Sequence, residues 1–449
     1  MRHSIALALY SAVAGVGVSA APAAKATDKP VSFAQFLSST GKTSFESFSA
    51  AGVRDSGAFK QMTDHIQNMY SGVKDPSKVT SFKIDDTYGD CIPVQEQPSV
   101  HLLGLGAGAA KLATPPSGAA ISTSTSAPKG LSAATKVDIP SILSLGVKDV
   151  YGNSISCPPG TVPVQRLTPE SLARYGNLTD FFYKPRAEAD GGTGDKEIKT
   201  LGKRAGAHSY ARAIDTVLNF GGNAWMNLWS PSGYFSISQH WYVVNVPHQT
   251  VEGGWAVNHQ KWDGRARLFI YWTADDYQHT GCWNLDCAGF VQTSNKWYLG
   301  GPFDRYSVYA GGQVGFELQW KLYKGNWWLF LKANNGYESV GYYPAKIYGN
   351  GPITKHADYA KWGGETAPDS TYGQMGSGHF PAEGFGKAAY QNNIFTIPRD
   401  ESGGYGVQAA LSSLHITKPS CYTIAATPRS GSSWGSYFYF GGPGGKTCA

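Results

Sequence analysis

Two glutamates stand in glycine- and tryptophan-rich frames in the second half of the chain: Val251-Glu252-Gly253-Gly254-Trp255 and Trp362-Gly363-Gly364-Glu365. Two carboxyl groups converging on one cleft can hydrolyse a peptide bond without a metal, a thiol or an activated serine. The ionised member takes a proton from water. The protonated member donates to the carbonyl oxygen and then to the leaving amine. Glycines let a substrate backbone approach closely, and tryptophans make a water-poor wall that favours a neutral carboxyl. A single glutamate so placed is ordinarily a solvated strand end; the two frames together argue for chemistry.

Other residues could serve the same cleft. Gln239, in Ser238-Gln239-His240-Trp241, could donate to a developing oxyanion, although a strand-face amide is the plainer reading. Trp255, Tyr271 and Trp272 could wall the cleft, and a flat proline ring suits an aromatic slot. The strand that carries Trp272 is apolar on both faces, which favours a core position for that ring. Glu317, Glu338 and Glu383 are the rival carboxylates. Glu317 lies on the polar face of an alternating strand, where solvent or a cross-strand partner is the default. Glu383 follows Pro381-Ala382 in a loop and reads as exposed. His379 reads as structural.

Most other catalytic signatures fail. There is no His-Glu-x-x-His. Gly431-Ser432-Ser433-Trp434-Gly435 matches a nucleophile elbow, but no Asp or His follows it, so it reads as a turn. Ser377, between Gly376 and Gly378, has His379 nearby but no third member. Gly104, Gly106 and Gly108 lack the phosphate-cradling spacing. His279 lies near Cys282 and Cys287, but no Cys-x-x-Cys pair and no fourth ligand accompany them. Neither a metal nor a cofactor is expected.

The elements that must position the glutamates are strands. Phe316, Leu318, Trp320 and Leu322 alternate with Glu317, Gln319, Lys321 and Tyr323, a half-buried strand of period two. Lys324-Gly325-Asn326 makes a turn, and residues 327–332 return as its partner. Arg267 to Thr273 is another strong strand. Long antiparallel strands with Gly-rich turns point to a β-sandwich. A propeller is the alternative, but no internal repeat supports it.

The chain has 449 residues, and all 13 tryptophans fall between Trp225 and Trp434. That shift argues for two bodies. Residues 1–26 read as a secretory signal with an apolar core and small-residue cleavage points. Phe59, Met62, Ile66, Met69 and Tyr70 recur at helical steps. Residues 104–136 are rich in Gly, Ala, Ser, Thr and Pro and read as a flexible insert that cannot build a core. Residues 186–207 read as an exposed linker open to proteolytic nicking. Six cysteines in an exported chain suggest disulfides. The natural pairing is Cys91–Cys157, Cys282–Cys287 and Cys421–Cys448, among about fifteen connectivities. The net charge of +6 comes from scattered residues, so nucleic-acid binding is a poor inference. No stretch beyond the signal is long and apolar enough to span a bilayer, so an exported, soluble, extracellular protein is expected.

The sequence resembles the neprosin family of secreted glutamic endopeptidases. The blocks that carry the resemblance are Glu252-Gly253-Gly254-Trp255-Ala256-Val257, residues 267–275, Gly281-Cys282-Trp283-Asn284-Leu285-Asp286-Cys287, Trp327-Trp328-Leu329, Gly341-Tyr342-Tyr343-Pro344, Trp362-Gly363-Gly364-Glu365 and residues 374–381. They run in family order over roughly residues 208–395. Asp90-Cys91-Ile92 and residues 157–163 resemble the family's propeptide more weakly, and the low-complexity insert is a departure from it. The resemblance implies an antiparallel two-sheet β-sandwich catalytic domain over 208–449, preceded by a smaller mixed α/β propeptide over 27–185. It also implies acid activity, cleavage after proline in peptide or protein substrates, inhibition by the chain's own propeptide, and catalytic roles for Glu252 and Glu365. A non-enzymatic carbohydrate binder is the main rival, since aromatic-rich sandwiches stack on sugar rings. A glycosidase fits the paired carboxylates but not these blocks.

Overall fold

The computed structural model describes residues 29–105, 112–122, 149–153, 155–184, 208–333, 336–368, 371–446 and 448. The signal stretch 1–26, the whole of the linker 186–207, and residues 106–111 and 123–136 of the insert lie outside them.

The first half is mixed. Its helices are α1 (Phe33–Thr40), α2 (Ser56–Tyr70), α3 (Pro98–Leu102), α4 (Pro169–Leu172) and α5 (Leu178–Phe182). Its strands are β1 (Ser81–Ile84), β2 (Thr87–Pro93), β3 (Ile121–Ser122) and β4 (Thr161–Gln165). Asp55 caps α2 by accepting from the Ala58 N–H, one of the orphan donors that a helix start leaves. The apolar stripe Phe59, Met62, Ile66, Met69 and Tyr70 is buried, as the helical period requires. Strands β1, β2 and β4 form a small antiparallel sheet. Arg166 and Asp90, both buried, form an ion pair of 2.6 Å beside it.

From residue 208 onward the body is strand after strand. In chain order these are β5 (Ser209–Asn219), β6 (Gly221–Asn227), β7 (Phe235–Asn245), β8 (His248–Asn258), β9 (Arg267–Thr273), β10 (Val291–Gln292), β11 (Gly315–Tyr323), β12 (Asn326–Ala333), β13 (Gly336–Tyr343), β14 (Ala357–Ala367), β15 (Ala389–Thr396), β16 (Tyr405–Gln408), β17 (Ser413–Ile416), β18 (Thr423–Thr427) and β19 (Ser436–Gly441). One sheet runs β17-β5-β14-β7-β8-β9. The other runs β10-β13-β12-β11-β6-β15-β16, with β19 on β15 and β18 on β19. The body is therefore an antiparallel two-sheet sandwich. Its core fills the space between the sheets with Trp255, Leu268, Leu318, Trp320, Trp327 and Trp362. Tyr323 pairs with Asn326 across the two-residue loop Lys324-Gly325, and both loop residues have positive φ. That is the backbone a tight hairpin needs.

Two expectations need correction. Strand β11 is not half-buried: Glu317, Gln319 and Lys321 are as buried as their apolar neighbours. The cover comes in part from the supposed flexible insert, whose residues 112–122 lie as a strap on the outer face of the larger sheet. Gln319 accepts from Ala120 N at 2.6 Å and donates to Ala120 O at 3.0 Å, and β3 pairs in parallel with β16. A segment poor in apolar side chains can dock this way because its backbone supplies the hydrogen bonds.

The six cysteines form three disulfides: Cys91–Cys157, Cys282–Cys287 and Cys421–Cys448. Among the described residues, no helix is long and apolar enough to cross a membrane.

Candidate active site

Strand alternation decides what the smaller sheet presents. On β8, Val251, Trp255 and Val257 enter the core between the sheets, so Glu252, Gly254 and Ala256 face the opposite way. On β7 and β14 the same outward face carries Ile237 and Gln239, and Gly363, Glu365 and Ala367. The register sets Gln239 between Gly254 on one side and Gly363 on the other. A side chain at 254 would strike the Ser238 carbonyl, and one at 363, where φ is +152°, would strike that of Ala211. These two glycines hold the strands and leave Gln239 with bare flanks. Glu252 pairs with Tyr271 and Trp241; Glu365 pairs with Ile237 and Tyr210. The carboxylates thus approach Gln239 from opposite corners.

Each carboxylate is buried and fully engaged. Glu252 Oε1 accepts from Thr250 Oγ1 at 2.8 Å and from Tyr277 OH at 2.7 Å. Glu252 Oε2 accepts from Lys184 Nζ at 2.5 Å. The same ammonium donates to Gln239 Oε1 at 3.0 Å, and Gln239 Nε2 donates to Glu365 Oε2 at 3.1 Å. Glu365 Oε1 is bound to His208 Nδ1. One chain of contacts therefore runs Glu252–Lys184–Gln239–Glu365–His208.

Lys184 belongs to the first half of the chain. It follows α5 and reaches across into the sheet of the second half. Its ammonium lies 5.1 to 5.8 Å from the ring centres of Phe269, Tyr271 and Trp283, a range where cation and π-face attract. The two residues before it are also held: Tyr271 OH donates to Phe182 O at 3.1 Å, and Tyr183 OH to Gln278 O at 2.6 Å. Trp283 is set by the short Cys282–Cys287 loop, in which Asn284 N donates to Ile270 O at 2.9 Å.

The electrostatics follow from these neighbours. Burial by itself would raise the Glu365 carboxyl, but His208, Lys184 and Arg212 outweigh it and hold the group below its ordinary value of 4.5. Burial, with Glu252 adding to it, pushes the Tyr271 and Tyr277 hydroxyls well above their ordinary range. Both remain proton donors at any working pH.

The residues singled out in the sequence separate here. Glu252, Glu365, Gln239 and Tyr271 come together. Trp255 does not: it is fully buried between the sheets and donates to Asn227 O at 3.0 Å. Three positions from Glu252 along one strand is an odd step, which sends its ring to the other face. Trp272 is also in the core. Gln239 is more than a strand-face amide, since it bridges Lys184 and Glu365. Glu338 binds Lys296 at 2.7 Å, and His379 binds Glu383 at 2.9 Å. Both pairs lie away from these contacts. Cys282 and Cys287 bond each other, which removes both as zinc ligands. Sequence reading missed Lys184, His208, Thr250 and Tyr277. Thr250 was recoverable, since two residues before Glu252 on a strand is the same face. Lys184 and His208 flank the long linker and carry no local signal.

Residues 232–443 match the model of the Neprosin family, whose blocks the sequence carries. That match supports a glutamic-type endopeptidase. Two solved structures overlap the chain loosely. One is Scytalido-glutamic peptidase with a peptide-based transition state analog, at 10% identity and TM-score 0.29, covering 54% of this chain and 98% of that one. The other is the same peptidase with a transition state analog inhibitor, at 10% identity and TM-score 0.28, covering 53% and 98%. Nothing about the chemistry of this chain follows from so loose an overlap.

Proposed function

We propose that this chain, a glutamic-type endopeptidase with a neprosin region over residues 232–443, is exported as a latent precursor that cuts peptides after proline once its first half is removed. The observation that carries the reading is the placement of Lys184, which binds one candidate carboxylate directly and reaches the other through Gln239. While it stays, Lys184 occupies Glu252 Oε2 and Gln239 Oε1 and stands between the acids. The tripeptide Phe182-Tyr183-Lys184 fills the ground a substrate would need, and the hydroxyl of Tyr271 already grips a main-chain carbonyl there.

Removal of residues up to the linker 186–207 takes Lys184 away. Glu365 then still faces His208 and Arg212, whereas the remaining hydrogen-bond partners of Glu252 among the described residues are the hydroxyls of Thr250 and Tyr277. Charge compensation makes Glu365 the ionised member, which draws a proton from water. Glu252 is the donor to the scissile carbonyl and then to the departing amine. Gln239, between them, orients the water. Tyr271 binds a substrate carbonyl, and the aromatic slot of Phe269, Tyr271 and Trp283 accepts the proline ring. A sugar binder would have no need for two buried carboxylates turned toward one amide.

The decisive experiment is to incubate purified precursor at about pH 3 to 4, where carboxyl groups titrate, and then add a proline-containing peptide. The expected result is a shortened protein that cuts on the carboxyl side of proline, and a Glu252→Gln protein that does not cut. Full activity in uncut precursor would count against latency; cutting by Glu252→Gln would count against the catalytic pair.

A further inference from the structure

A second cavity lies on the far side of the sandwich, on the outer face of the larger sheet, with a volume of about 400 Å³. Its floor is Glu317, a carboxylate only 1% exposed. Glu317 Oε1 accepts from Asn223 Nδ2 at 2.7 Å and from Asn393 Nδ2, and Oε2 accepts from Lys332 Nζ at 2.7 Å. Tyr337 OH donates to Asn223 Oδ1 at 3.0 Å. The peptidase reading uses none of these groups.

We infer that this cavity is a binding site for a neutral sugar, of one or two rings. Three features select that class. Glu317 and Lys332 neutralise each other, so the site offers no net charge and an ionic ligand gains little for losing its water. Trp225 and Tyr337 contribute half-buried aromatic rings to the lining, surfaces with an apolar body and a polar edge. The amide of Asn392 and the hydroxyl of Ser433 also line the space, and neither has a hydrogen-bond partner among the described residues. Together with the spare N–H bonds of Lys332 they offer both donors and acceptors, which is what ring hydroxyls require. The volume is within the range of small-ligand sites. One wall is Ile121, 72% exposed, at the end of the strap from the first half.

Ligand-observed saturation-transfer NMR on the full, unprocessed chain tests the assignment, because Lys184 then occupies the other cleft. The probes are cellobiose, lactose and N,N′-diacetylchitobiose, with digalacturonate and putrescine as charged comparisons. Saturable transfer to at least one neutral disaccharide is expected, with half-saturation on the order of 1 mM. Trp225→Ala and Asn392→Ala should each weaken it by about tenfold or more. The Asn392 amide holds no other group, so that variant keeps the fold even where Trp225→Ala does not. No transfer to any neutral probe, equal transfer in Asn392→Ala, or preference for either charged probe would overturn the inference.

Discussion

The two sheets each bury carboxylates on their outer faces, and they neutralise them by different means. On the larger sheet, Glu317 is held by Asn223, Asn393 and Lys332, all from the second half of the chain. On the smaller sheet, Glu252 is held by Lys184, a cation lent by the first half across the linker. Burying a charge is costly unless it is paired. A carboxylate with a resident partner keeps one state, whereas one with a lent partner has two. On the proposed reading, the difference makes Glu252, joined to Glu365 through Gln239, the carboxylate that is uncovered when the first half leaves, and Glu317 a fixture.

The largest effect should separate the two sheets outright. In processed protein, Glu365→Gln or Glu252→Gln should lower kcat/KM on a proline peptide by about 100- to 10,000-fold, while Glu317→Gln leaves it within about twofold. A loss in Glu317→Gln equal to that in Glu252→Gln would erase the contrast. Next in size, Lys184→Ala in uncut precursor should raise residual peptidase activity by roughly tenfold, the factor that about 1.4 kcal/mol of weakened docking supplies; an unchanged precursor would show that Lys184 is a passenger.

A third effect depends on pH. The Glu365 carboxyl is depressed in the folded chain, so its contribution is fully present above its ordinary value of 4.5 and is lost as pH falls through the lowered one. Since Lys184 is among the groups that depress it, the hold on the first half should loosen below that point and not above it. Hydrogen–deuterium exchange across pH 3 to 6, corrected for the intrinsic rate at each pH and read by mass, should show the protection of residues 178–184 fall only at the acid end. The smallest effect falls on the other sheet: Lys332→Met should cost about 1 kcal/mol in urea unfolding, because the lysine is 40% exposed and its pair is screened, with peptidase activity unaltered.

Much of the strand pattern and the central pair of glutamates could be read from residue order, because both depend on short spacings. A period of two is visible in Phe316 to Leu322, and the glycine frames around Glu252 and Glu365 are contiguous. Misplacing Trp255 came from treating neighbours in sequence as neighbours in space, when the strand sends them to opposite faces. The rest was hidden for a different reason. Lys184 and His208 meet acids that lie 68 and 157 residues further along, and a distance of that kind leaves no mark on local composition. The strap was misread because polarity was equated with looseness, while its anchoring is through main-chain atoms.

The disulfides carry a last consequence. Cys91–Cys157 lies wholly in the first half, and Cys282–Cys287 and Cys421–Cys448 lie wholly in the second. Once the linker is cut, no covalent tie joins the fragments, and the severed piece keeps its own bridge. Departure is then unimolecular and return is bimolecular. Silence at high concentration and awakening on dilution would both follow, without any further bond being broken.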